Sequence, residues 1–103
     1  MVDRRTTYID PTYVPCSQPK MIAGVTFRLY RTENRQYAMI SDDGQIMVKR
    51  GYNLVSYTAY VLPTGPIYGP GMQPKRFRNE DRACADAVDL LKQIQTAQNG
   101  SAQ

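Results

Sequence analysis

The side chains of this chain that can do chemistry are its cations and its tyrosines. Arg28, Arg31 and Arg35 follow one another at short spacing, Lys49 and Arg50 are adjacent, and Lys75, Arg76 and Arg78 cluster ahead of the C-terminal segment. Arg4 and Arg5 stand near the start, and Tyr30, Tyr52 and Tyr60 are interleaved. Guanidinium and ammonium groups pair with phosphate oxygens, and a tyrosine ring offers a flat face to bases and sugars. The pattern therefore points to nucleic acid. Arg28, Arg31, Arg35, Lys49, Arg50, Lys75, Arg76 and Arg78 are the candidate phosphate contacts, with Tyr30 as the candidate stacking surface. A bland reading stands beside this one. Scattered arginines are commonly a solvated surface, and Glu80 and Asp81 follow closely enough to pair with Lys75, Arg76 and Arg78.

Catalysis finds little to work with. There is no histidine, which removes the commonest general base and the commonest metal ligand. Asp42 and Asp43 form a carboxylate pair, but on a tight turn that explains them structurally. Asp86 and Asp89 fall on the polar side of a helix, and no serine or threonine has an evident partner base. Cys16 and Cys84 form no metal cluster and no redox motif. With no leader sequence in view they read as reduced thiols of a cytoplasmic protein, a disulfide being the alternative. The one G-x-G is Gly69-Pro70-Gly71, where proline removes a donor that a phosphate loop needs. The expectation is a protein that is not an enzyme, with no metal and no cofactor.

The chain has 103 residues, enough for one domain, with 42% hydrophobic and 21% charged residues, as in ordinary globular proteins. Its net charge of +4 permits an anionic partner without demanding one. No apolar run approaches the roughly 20 residues of a membrane-spanning helix, so no membrane partner is expected. Asp3, Arg4 and Arg5 are followed by no apolar core of a secretory signal.

The elements that must position these side chains read as follows. Residues 1–20, with Pro11, Pro15 and Pro19, form an extended arm whose Tyr8, Ile9, Tyr13 and Val14 can lie across the domain. Residues 21–100 form a single α+β domain, and 101–103 a free tail. Val25 to Arg31 alternates as a half-buried strand, with Val25, Phe27 and Leu29 on one face. A turn at Thr32-Glu33-Asn34 leads to a second strand ending at Ser41. Asp43-Gly44 suits a two-residue hairpin turn with positive φ at both positions, setting Met39 opposite Val48. Gly51-Tyr52 suits a second such turn, setting Val48 opposite Val55 and Ile46 opposite Tyr57. Tyr37, Met39, Ile46, Val48, Val55, Tyr57, Ala59 and Val61 then share one face.

The stretch from Pro63 to Pro74 is a long Pro-Gly loop, and Phe77 ends a short strand from Lys75 to Arg78. From Asn79, a good N-cap, a helix runs to an Asn99-Gly100 stop, with Glu80 and Asp81 in its first turn. Ala83, Ala87, Leu90, Leu91, Ile94 and Ala97 form its apolar stripe, and Arg82 and Asp86 an i,i+4 pair. The fold expected is an antiparallel β-meander of three to five strands packed by one C-terminal α-helix, with a Pro-rich N-terminal arm.

A sheet followed by one amphipathic helix, with Gly24-Val25-Thr26-Phe27-Arg28, then Gln36-Tyr37-Ala38-Met39-Ile40, then Phe77 leading to Asn79-Glu80-Asp81-Arg82-Ala83, resembles the arm-binding domains of tyrosine recombinases and the plant ethylene-response DNA-binding domain. That resemblance implies a sheet laid in the major groove. The chain departs from it in its long second hairpin, its Pro-Gly loop and its lack of tryptophan.

Two functions follow as expectations. The first is non-catalytic nucleic-acid binding through a basic, Tyr-containing sheet face. The second is a phage- or plasmid-type accessory protein that inhibits a host protein. It would dock through the apolar patch of Ile40, Met47 and Leu54, with Tyr68 from the loop. The same patch is also the surface a homodimer would use.

Overall fold

The computed structural model describes residues 7–32, 34–51, 56–62 and 64–101, with the backbone alone for 98–101. It has the expected α+β architecture. Strands β1 (Val14–Pro15), β2 (Lys20–Ile22), β3 (Val25–Arg31), β4 (Tyr37–Ser41), β5 (Ile46–Arg50), β6 (Tyr57–Val61) and β7 (Gly65–Pro66) form one antiparallel sheet, followed by helix α1 (Glu80–Ser101). Strands β3 to β6 are the meander, each paired with its chain neighbour. Among the described residues, no helix is long and apolar enough to cross a membrane.

The arm completes the sheet. β1 and β2 both pair with β3 on the edge away from β4, as one strand interrupted between Pro15 and Lys20. Prolines donate no ladder hydrogen bond, so Pro15 and Pro19 are tolerated only at such an edge. Within the interruption, the Cys16 N–H still donates to the Leu29 carbonyl (2.8 Å), and the Leu29 N–H donates to Ser17 Oγ (3.0 Å).

Two turns differ from their sequence reading. The two-residue turn with positive φ at both positions is Ala23-Gly24 (φ 53° and 81°), which joins Ile22 to Val25. At Asp43-Gly44 only the glycine is left-handed, at φ 75°. Here the Gly44 N–H donates to the Ser41 carbonyl (2.8 Å), and Asp43 Oδ1 accepts from Ser41 Oγ (2.6 Å) and the Gln45 N–H (3.1 Å). The predicted register survives: Met39 faces Val48. Buried Ser41 accepts the Ile46 N–H on its hydroxyl at 3.1 Å, so its polar atom is satisfied.

The next hairpin is a correction. Val48 faces Ala59 and Ile46 faces Val61, not Val55 and Tyr57. The Gly51 N–H donates to the Ser56 carbonyl at 2.8 Å, so the chain returns through a longer loop than the two residues expected. Tyr52, Leu54 and Val55, named in that reading, lie outside the described residues.

One sheet face carries Phe27, Met39, Ile46, Val48, Ala59 and Val61, packed against Ala83, Cys84, Ala87 and Val88 of α1. The helix contacts sit at i, i+1, i+4 and i+5, a stripe turned toward Cys84 and Val88. Leu90, Leu91 and Ile94 flank it, and Ala97 is exposed. Ala83, Cys84 and Ala87 are small and fully buried, which lets the helix sit close to the sheet. Asn79 caps the helix, its Oδ1 accepting the Arg82 N–H at 3.0 Å. The expected stop at Asn99-Gly100 is passed, since the helix ends at Ser101. Phe77 belongs to no strand of its own and bridges Tyr57 across the outer edge of β6.

The opposite sheet face holds a second cluster. Tyr30, Ala38, Ile40 and Met47 are buried beneath Tyr8, Ile9 and Tyr13 of the arm, with Tyr60 at its margin. The arm is anchored by the Tyr8 N–H donating to the Gly44 carbonyl at 2.6 Å.

Candidate functional site

The two clusters decide which predicted contact residues are free. Tyr30 is 9% exposed within the arm-side cluster, so it offers no stacking face. Ile40 is fully buried and Met47 is 8% exposed, so the apolar patch expected to dock a host protein or a second copy is occupied by the chain's own arm. The cause is the arm's spacing: Tyr8, Ile9 and Tyr13 reach the sheet once Tyr8 is tied to Gly44. Leu54 lies outside the described residues, and Tyr68 is 54% exposed, away from the patch.

The cations divide by partner. Among the described residues the ion pairs are Lys20–Asp81, Arg28–Asp42, Arg50–Glu80 and Arg82–Asp86. Arg50 is the clearest loss from the predicted set. Its Nε and Nη2 donate to Glu80 Oε2 (3.0 Å) and Oε1 (3.3 Å), a two-pronged geometry that guanidinium favours. Its guanidinium also lies 5.5 Å from the centroid of the Tyr37 ring. The hydrogen bond to Glu80 holds the Arg50 pKa above its ordinary value, against the opposing pull of burial. Arg28 meets Asp42 at the longer distance of 3.7 Å. Lys20, which the sequence did not single out, donates to both carboxylate oxygens of Asp81 at 2.9 Å. Glu80 and Asp81 thus pair with β5 and β2, not with Lys75, Arg76 and Arg78. The spacing suggests that local pairing, but the first helical turn directs its carboxylates to strand residues instead.

Arg31, Arg35, Lys49, Lys75, Arg76 and Arg78 take part in none of these pairs. They fall in two places. On the arm-side face, Lys49 lies across from Thr58, and its Nζ stands 5.9 Å from the Tyr60 ring centroid. Thr58, Tyr60, Gln73, Pro74 and Arg76 line an open groove of about 280 Å³ beside it. The Pro-Gly segment builds the groove wall. The Lys75 N–H donates to the Ile67 carbonyl (2.8 Å) and the Gly69 N–H to the Gln73 carbonyl (2.7 Å), folding the segment back and bringing Arg76 to β6. Tyr60 is steadied by an edge-on contact with Tyr8, with ring centroids 6.2 Å apart. Lys75 turns away from this groove and covers the ring of Phe77, a member of the helix-side cluster, at 4.9 Å; Arg78 is exposed.

Arg31 and Arg35 sit at the β3–β4 turn, beside a cleft of about 400 Å³ that they line with Thr12, Val14, Thr32 and Tyr37. Arg35 is held at φ 62°. That conformation costs a non-glycine residue about 1–2 kcal/mol. It is fixed by the Arg35 N–H to the Thr32 carbonyl (3.0 Å) and the Thr32 N–H to the Gln36 carbonyl (2.8 Å). The two places lie on different sheet faces, because Arg31 and Tyr37 share the parity of Phe27 and Met39 while Lys49 and Tyr60 share that of Met47.

The cysteines form no disulfide: Cys16 is exposed and Cys84 buried. Burial, with Glu80 and Asp81 close by, pushes the Cys84 thiol up to about 12. In comparisons with family models, curated proteins and solved structures, nothing matches this chain.

Proposed function

We propose that this protein binds nucleic acid without catalysis, through the groove lined by Thr58, Tyr60, Gln73 and Arg76, with Lys49 beside it. One observation carries the reading: Arg76, from the segment before α1, lines a groove with Tyr60, over whose ring stands Lys49 of β5, and neither cation is in a described ion pair. Two cations along a groove suit successive phosphates of a strand. The Thr58 hydroxyl and Gln73 amide suit sugar and phosphate oxygens, and the Tyr60 ring suits the apolar face of a sugar or base. The net charge of +4 draws the polyanion in from a distance. The recognition is of backbone and stacking surface, tolerant of sequence.

The test is the affinity for mixed-sequence single strands and duplexes, measured from low to moderate salt. Each phosphate neutralised contributes a slope of about −0.7 (single strand) to −0.9 (duplex) in log K against log salt. Exchanging Lys49 and Arg76 for glutamate together should abolish binding while the circular-dichroism spectrum stays that of the parent. Equal binding by parent and variant, or affinity indifferent to salt, would sink the proposal.

A further inference from the structure

We infer that the cleft at the β3–β4 turn is a separate site for a phosphate monoester carried on a flat base, that is, a nucleoside 5′-monophosphate, free or at the end of a strand. The inference does not rest on the groove described above, from which the cleft is divided by the sheet. Arg31 projects from regular strand, and Arg35 from a turn clamped at φ 62°. Both guanidinium groups lack a partner among the described carboxylates, and both line the same cleft. Two free guanidinium groups match the charge of a phosphate dianion, and their paired N–H groups match its oxygens. A carboxylate would satisfy only one of them.

The hydroxyls sharpen the assignment. Thr32 Oγ1 accepts the Gln36 N–H at 3.3 Å, which leaves its own proton to donate into the cleft. Thr12 differs: its hydroxyl donates to Asp10 at 2.7 Å, so toward the cleft it presents a lone pair and a methyl group, suited to a ribose hydroxyl and not to a phosphate oxygen. Donors therefore gather at the Arg31–Thr32–Arg35 end, with an acceptor at the Thr12 end. The cleft volume of about 400 Å³ is far more than a bare phosphate fills and lies in the range of small-ligand sites. Tyr37 is 36% exposed, with its ring engaged by Arg50, so a rigid aromatic wall remains for a base.

The experiment is an NMR titration of the full chain with adenosine 5′-monophosphate, adenosine and inorganic phosphate. The monophosphate should shift the amides of Arg31, Thr32, Arg35, Gln36 and Tyr37 and bind about tenfold or more tighter than either fragment. Arg31→Gln, alone on a regular strand, and Arg31→Gln with Arg35→Gln should each weaken it by about tenfold or more with a folded spectrum retained. The Lys49→Glu, Arg76→Glu variant should bind it as the parent does. A 5′-phosphorylated oligonucleotide compared with its 5′-hydroxyl twin separates the two sources: tighter binding of the former, dependent on Arg31, assigns the strand end. Equal binding of the twins, with the mononucleotide still bound, assigns the free nucleotide. Adenosine binding as tightly as its monophosphate, indifference to the Arg31 exchange, or shifts confined to Thr58, Tyr60 and Arg76 would each overturn the inference. The last result would leave the groove reading standing.

Discussion

Arg50 separates a structural cation from a binding one, and exchanging it for methionine tests the distinction. The side chains of Arg50 and Glu80 are 28% and 18% exposed and meet through two hydrogen bonds of 3.0 and 3.3 Å. An exposed pair contributes about 0.2–1 kcal/mol, and removing one partner of a fully buried pair costs about 3–5 kcal/mol. This pair lies between those limits. Methionine keeps an unbranched aliphatic side chain in place of the arginine stem, so the loss should be roughly 1–2 kcal/mol. A domain of this size loses about 4–8 °C of melting temperature per kcal/mol. Urea and thermal unfolding of Arg50→Met, Glu80→Gln and the double variant would give the coupling directly. Each single exchange should destabilise, and the double should cost less than their sum. Nucleic-acid affinity should fall only fewfold, through the lost net charge. Lys49→Glu, Arg76→Glu should show the inverse: stability held, binding lost. Arg50→Met that keeps full stability but loses nucleic-acid binding would refute the partition of the cations on which both site assignments stand.

Two further outcomes follow from the core and the arm. The unfolded chain releases the Cys84 proton above pH 9.0 and the folded one only near 12, so stability should fall as pH rises through that window, by on the order of 1 kcal/mol at pH 10; Lys20, its pKa raised chiefly by its hydrogen bond to Asp81, acts in the same direction above 10.5. Denaturant melts at pH 8 and 10 should show the decline in the parent and a flatter profile in Cys84→Ala, and a thiol reagent at pH 8 should label Cys16 but reach Cys84 only on unfolding. Gly44→Ala should cost about 1–2 kcal/mol or more, because φ is 75° there and a Cβ would meet Thr7; a protease-sensitive N-terminus with the helix spectrum intact is the expected signature, and an unchanged digestion pattern would contradict the anchoring of the arm.

The sheet shows what alternation can and cannot reveal. The pattern from Tyr37 to Val61 assigned Met39, Ile46, Val48, Ala59 and Val61 to the helix-covered face, and they lie there. It also paired Val48 with Val55, where the structure has Ala59. The register is displaced by an even number of residues, and side chains repeat every two, so each described residue keeps its face while changing its neighbour. A period reports orientation, whereas the partner depends on loop length, and Gly51-Tyr52 resembled a tight turn in composition alone. The same limit hid the Ala23-Gly24 turn, because alanine is an unusual residue for a positive φ. Of the site, the residue types were legible and the availability was not. Arg50 and Arg76 are equivalent as letters; only the tertiary placement of Glu80 beside one and not the other tells them apart.

The arm carries the larger consequence. An alternating sheet with two apolar faces needs two covers, and the described residues supply one α-helix. The second cover had to come from residues 7–15, whose prolines bar them from helix and interior strand but suit them to an edge and a strap. That choice fixes where a partner can bind. With Ile40 and Met47 beneath Tyr8, Ile9 and Tyr13, the arm-side face keeps an opening lined by Thr58, Tyr60 and Arg76, at whose margin Tyr8 meets Tyr60 edge-on. Among the described residues the strap therefore touches the groove only through Tyr8, which braces the ring of Tyr60. Loosening it should disturb Tyr60, and with it strand binding, before it disturbs the helix-side core, because the only apolar surface the two clusters share is the sheet between them.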